Sequence, residues 1–181
     1  MNRKKISILD YFTCSCLNDR NEEIIDKLNF TEDEYNQSLN IISEILKKYK
    51  IKFFLDYLTL SSIINKKTII NDNNTIYLGI FKKNYNKLLE KNKLIDCNFR
   101  KGNIEEGYNI SFKLSRTLLN IYISIYYIEE DHIWVLCKDY DNSKTFCKDI
   151  LKKFNLTKFK YNNITYNIPE NPYNFIFELN I

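Results

Sequence analysis

Ile51-Lys52-Phe53-Phe54-Leu55-Asp56-Tyr57 is a compact apolar run carrying three aromatic side chains. Its shortness and its Phe content predict a strand buried on both faces. Before it, Thr31-Glu32-Asp33-Glu34 offers an N-cap with acidic first-turn residues, and Leu39, Ile42, Ile45, Leu46 and Tyr49 recur at spacings of three and four. That spacing predicts an amphipathic helix ending near Lys47-Lys48. After it, Thr59 to Asn65 suits a short helix, Asn71-Asp72-Asn73-Asn74 suits a turn, and Thr75-Ile76-Tyr77-Leu78-Gly79-Ile80-Phe81 reads as a second strand. Helix and strand in alternation begin an α/β pattern.

Farther along, Asn84 to Asn92 returns to helical spacing through Tyr85, Leu88 and Leu89. The second half then changes character. Tyr108 to Leu114 and Leu119 to Ile128 are rich in β-branched and aromatic residues, and His132 to Cys137 follows a turn at Glu129-Glu130-Asp131. A hairpin is expected from Thr157 to Ile168 about Asn162-Asn163, and a short closing helix after Pro169 carrying Tyr173, Phe175, Ile176 and Leu179. No internal repeat or linker interrupts the pattern.

With 181 residues, 44% of them hydrophobic and 28% charged, the chain fits one domain with a packed core. The expected division is a single domain over 1–181, with 1–30 an N-terminal extension and 31–181 the core. Only 3 Gly and 2 Pro serve the whole chain, so its turns must rest on Asn and Asp, which tolerate left-handed backbone. The abundance of Lys, Asn, Ile and Tyr is the imprint of an AT-rich genome, which inflates charge runs without selection on function. A net charge of +4 and scattered lysine pairs, such as Lys47-Lys48 and Lys152-Lys153, argue against a nucleic-acid face. The start, Met1 to Asp10, is basic but meets Asp10 before any apolar stretch of signal-peptide length, and no run approaches the roughly 20 apolar residues of a membrane span. The expected setting is therefore the cytoplasm, with a virus component among the candidates. Cysteines 14, 16, 97, 137 and 147 form an odd set without zinc-type spacing, so reduced thiols are expected, Cys14 and Cys16 included.

The segment Leu55 to Ile80 resembles the fukutin/LicD-like nucleotidyltransferase family, whose pattern reads Leu-Asp-Tyr-Gly-Thr-Leu-Leu-Gly and later Ile-Pro-Trp-Asp-Asp-Asp-Ile-Asp-Leu-Gly-Ile. Leu55, Asp56, Tyr57, Thr59, Leu60, Lys67, Ile70, Ile76, Leu78, Gly79 and Ile80 match without a gap. A second block, Tyr108 to Phe112 with Tyr127 to Trp134, is similar to the fukutin branch, and a third runs from Phe154-Asn155-Leu156-Thr157 to Ile168-Pro169. The blocks keep their order from about Ile41 to Leu179. The resemblance implies an α+β, nucleotidyltransferase-like mixed β-sheet flanked by helices. It also implies transfer of a phosphorylated alcohol or sugar from a CDP-linked donor to a glycan, with magnesium or manganese.

In that family two aspartates one residue apart on a strand, and a third on a neighbouring strand, hold the divalent metal on one sheet face. The corresponding positions here are Thr75, Tyr77 and Tyr122. A phenol ionises only near pH 10, so it offers a dication no charge at neutral pH. Neighbouring family carboxylates become Asn73 and Asn74, and the glycine before Thr59 becomes Leu58, crowding a turn that needs bare backbone. Asp72 and Asp56 are the carboxylates that could compensate; Asp72, three residues before Thr75, would face the other side of a continuous strand. His132 lies in a shared block outside the metal cluster and reads as structural. The resulting expectation is a pseudoenzyme with no intact catalytic residue, no metal and no cofactor, retained to bind an unknown protein partner or to self-associate. Two competitors stay open: an active transferase with altered ligands that uses magnesium or manganese, and an unrelated structural protein.

Overall fold

The computed structural model describes residues 30–71, 73–85, 98–100, 109–113, 119–138 and 146–179. The expected N-terminal extension, Cys14, Cys16, Asp72 and the helical stretch after Tyr85 lie outside the described residues.

The first element is α1, Glu32–Lys48. Thr31 and Glu34 close a capping box in which each side chain accepts from the other's backbone, so the helix starts where the sequence signal predicts. The stripe Tyr35, Leu39, Ile42, Ile45 and Leu46 is buried, and it drives the helix into the core. Lys50, at φ 55, turns the chain toward β1, Phe53–Leu55.

That strand is shorter than expected. It stops at Leu55 because Asp56 caps a short helix, α2, Tyr57–Ser61, which continues as one π-turn over Ser62–Lys66. Tyr57 is therefore the first residue of a helix, not the last of a strand. The chain then enters β2, Thr75–Phe81, followed by a 3₁₀ turn at Lys82–Asn84. The later strands are β3 Asn98–Arg100, β4 Asn109–Lys113, β5 Asn120–Ile128, β6 His132–Lys138 and β7 Phe146–Lys152. A separate hairpin joins β8 Leu156–Tyr161 to β9 Ile164–Pro169, and α3, Pro172–Glu178, follows. The hairpin turns on Asn162 and Asn163 at φ 46 and 63, the left-handed pair that a two-residue turn requires and that asparagine tolerates.

The class is α+β, and the described residues form one mixed sheet of seven strands beside the two-stranded hairpin. Its central path runs β1-β2-β5-β4-β3, with β6 paired to the far half of β5 and β7 paired to β6. Antiparallel pairing is the rule, but β2 and β5 run parallel from Thr75 beside Asn120 to Phe81 beside Tyr126. Strand alternation then sorts the side chains. Ile76, Leu78, Ile80, Ile121, Ile123 and Ile125 point one way and are at most 1% exposed. On the other face Phe54 stands opposite Gly79, and its ring meets Phe81, Tyr126, Phe154 and Phe175, which seats α3 on that side. Phe175, Ile176 and Leu179 are buried, whereas Tyr173 on α3 is 62% exposed. No helix among the described residues is long and apolar enough to cross a membrane.

Candidate site on the β2–β5 face

The loop into β2 is built on Asn71, which is buried. Its side-chain oxygen accepts from the backbone N–H of Asn73 and Thr75, and its amide donates to the Thr75 carbonyl at 2.7 Å. Such side-chain-to-backbone closure is what asparagine supplies in place of glycine. Asn74, at φ 47, completes the turn, and the Tyr35 hydroxyl of α1 donates to the Asn71 carbonyl and to the Asn74 side chain. The start of β2 is thereby tied to the first helix.

A second tie comes from α2. The buried Thr59 hydroxyl accepts the Tyr77 N–H at 2.8 Å, and Asp56 N–H donates to the Tyr77 carbonyl. Tyr77 thus has both backbone groups committed to the β1–α2 corner. Its ring stands between Tyr57 and Tyr122, with centroids 5.2 and 5.7 Å away and planes tilted by 54° and 55°. Tyr77 and Tyr122 are register partners on the parallel strands, and Thr75, two residues before Tyr77, shares their face. Asn73 donates from its side-chain amide to the Tyr77 hydroxyl at 3.1 Å, and the Thr75 hydroxyl donates to the Asn73 carbonyl at 2.8 Å.

Thr75, Tyr77, Tyr122, Asn73 and Thr59 are therefore brought together, in a row of half-buried phenol rings edged by amides and hydroxyls. Asn74 faces α1 through its bond to Tyr35. Leu58 sits half-buried on the second residue of α2, and the left-handed backbone of the corner falls one residue earlier, at Tyr57 with φ 42.

Asp56 is fully buried at the root of this row. Its Oδ1 accepts the Tyr57 N–H at 2.8 Å and the Tyr126 hydroxyl at 2.7 Å, while Oδ2 has no partner. Burial pushes its pKa up to about 6, against the opposing hydrogen bonds from Tyr126, Tyr57 and Ser124. Spacing alone does not reveal this, because a single Asp after an apolar run reads equally well as an exposed turn residue.

His132 lies past the far end of β5 from Tyr122. Its two ring nitrogens are 3.0 Å from Glu129 and 2.7 Å from Asp131, and that hydrogen bond holds the Asp131 carboxyl below its ordinary range. Trp134 donates to Glu129 and stacks on Tyr127 at 3.9 Å. These contacts shape the β5–β6 turn and do not reach the tyrosine row. Lys82 lies over the rings of Tyr85 and Tyr127, and its pKa is lowered by desolvation. An open groove of about 490 Å³ lies elsewhere, lined by Ile150, Lys152, Asn174, Phe177 and Glu178. Among the described residues no three His, Cys, Asp or Glu side chains converge as metal ligands.

No protein-family model matches the chain, and no curated protein matches it.

Proposed function

We propose that the chain is a nucleotidyltransferase-type domain, similar to the fukutin/LicD-like family, that has lost metal-dependent transfer and serves as a binding or structural module. The reading is carried by one observation: Tyr77 and Tyr122, two of the three positions where the resemblance expects metal-binding carboxylates, are register partners on neighbouring strands with their rings 5.7 Å apart. Thr75 shares their face through strand alternation. The arrangement of β1 antiparallel to β2, a helix leaving the β1 corner, and β5 parallel to β2 suits a mixed sheet of that type.

The chemistry of the row follows from its atoms. Neutral phenols, an amide and hydroxyls give polar and stacking contacts but no charge to hold magnesium or manganese against nucleotide phosphates. Asp56 supplies no substitute, because its carboxyl is enclosed between Tyr57 and Tyr126 as a helix cap. The retained role is recognition of a protein partner or of a second copy.

A melting series tests the reading. Neither magnesium nor manganese, alone or with a CDP-linked sugar or alcohol donor, should raise Tm, since a ligand stabilises only as far as it binds the native state. A saturable, metal-dependent rise at sub-millimolar donor would instead establish an active transferase with altered ligands.

A further inference from the structure

We propose that Asp56 is a proton-operated latch on the tyrosine row: its protonated carboxyl holds the first turn of α2 and the Tyr57 ring against Tyr77, and loss of the proton loosens both. Asp56 is 0% exposed, and its Oδ2 has no hydrogen-bond partner. An ionised carboxylate in that position keeps a charged oxygen out of water with no donor, whereas a proton neutralises it in place.

Among the described residues no charged group offsets the ionised form. On Oδ1 the carboxyl receives the Tyr57 N–H from α2 and the Tyr126 hydroxyl from β5, and the buried Ser124 of β5 lies on the same sheet face as Tyr126. From β2 the Tyr77 carbonyl accepts the Asp56 N–H, and α3 contributes the apolar ring of Phe175 against Tyr126. Among the described residues the titratable groups facing it are the tyrosines, and no Lys, Arg or His pairs with it. The pKa of about 6 brought about by burial agrees with this geometry.

Ionisation has a definite yielding side. Tyr126 and Ser124 are buried in the sheet, while Tyr57 is half-buried and held at φ 42, a conformation unfavourable for a bulky residue. Tyr57 keeps it because its N–H is fixed by Asp56 Oδ1 and its ring leans on Tyr77. The Tyr57 N–H bond to Oδ1 by itself favours the charged form, so what loosens the corner is the cost of the unhydrated Oδ2: opening to hydrate it gives up that bond and withdraws Tyr57 from the row. The latch depends only on these contacts, so it holds whether or not the transferase resemblance does.

The test is amide exchange on the full chain, read as protection factors to remove the intrinsic pH dependence, together with the ¹³C shift of the Asp56 carboxyl. The carboxyl should titrate near pH 6. Protection at Tyr57 and at Leu60, whose N–H bonds to the Asp56 carbonyl, should fall about tenfold or more between pH 5 and 7.5. Asp56→Asn keeps a capping oxygen and cannot ionise, so its protection should be flat with pH. Tyr126→Phe removes a donor that favours the charged form, so the wild-type midpoint should move up. A carboxyl titrating near pH 4, an Asp56→Asn variant that shows the same fall, or a Tyr126→Phe midpoint that is unchanged or lower would each overturn the latch. If Asp56→Asn does not fold, the wild-type titration and Tyr126→Phe still decide it.

Discussion

Gly79→Ala adds one methyl group to the centre of β2. A Cβ at this position would fall inside 3.0 Å of three atoms of the Phe54 ring, its register partner on β1. Phe54 has nowhere to go: it is 0% exposed and its ring is in contact range of Phe81, Tyr126, Phe154 and Phe175. On an open strand Ala would gain roughly 0.5–1 kcal/mol over Gly by lowering the entropy of the unfolded chain. Here overpacking of a closed core, typically about 1–3 kcal/mol, opposes that gain and occupies the upper end of its range because the obstacle is a wedged ring. A net loss of about 2 kcal/mol is expected, or roughly 4–8 °C in Tm for a chain of this size. Urea unfolding of Gly79→Ala, Phe54→Leu and the double variant measures it. A coupling of about 1 kcal/mol or more is expected, since Leu vacates the ring atoms that Ala meets. A single variant within about 0.5 kcal/mol of wild type, or strictly additive losses, would refute the packing argument.

Three further outcomes follow from contacts described above. Thr31→Ala breaks the capping box of α1 and should lower stability by about 1 kcal/mol, seen as a fall of about 2–4 °C in Tm. Thr59→Val leaves the Tyr77 N–H without its acceptor and should lose about 1–3 kcal/mol in urea unfolding, most of it recovered in Thr59→Ser. For Asp56 the sign runs against the usual carboxylate. A folded-state pKa raised from 3.8 to about 6 means that the folded chain binds the proton more tightly, so this group's contribution to stability is fully present below pH 3.8 and lost as pH rises through 6. The difference in unfolding free energy between wild type and Asp56→Asn should therefore fall by up to about 3 kcal/mol from pH 4 to 7; a difference independent of pH would contradict it.

Elements with local signals were legible in the sequence. The α1 helix declares itself by cap and periodicity, β2 by its apolar run, and the β8–β9 hairpin by Asn162-Asn163, because each depends on residues a few positions apart. The end of β1 was not legible, since Leu55-Asp56-Tyr57 reads as continuous strand until Asp56 is known to be buried as a cap. β7 was missed because Phe146 to Lys152 mixes charged and apolar residues without clean alternation, and its extended form rests on pairing with β6. The candidate site divides in the same way. That Thr75 and Tyr77 share a face follows from strand alternation, whereas the neighbouring place of Tyr122 depends on a parallel pairing across a long crossover. The supports of the row, Asn71 and the buried Asp56, lie outside any pattern that spacing can reveal.

If Thr75, Tyr77 and Tyr122 occupy a former metal site, as we propose, manganese titration of the variant carrying Thr75→Asp, Tyr77→Asp and Tyr122→Asp will reveal it. Three carboxylates on adjacent strands about 4.8 Å apart repel one another without metal, and truncating half-buried rings removes packing, so the variant in chelator should lose several kcal/mol of stability. Manganese should then bind the variant at one saturable site, seen in the loss of the free-ion electron paramagnetic signal, and recover part of the lost Tm, while wild type takes up none. Transfer activity should not return, because Leu58 and the strained Tyr57 still fill the β1–α2 corner. A variant as stable as wild type in chelator that binds no more manganese than wild type would mean that these three positions never formed one site, and would contradict the account.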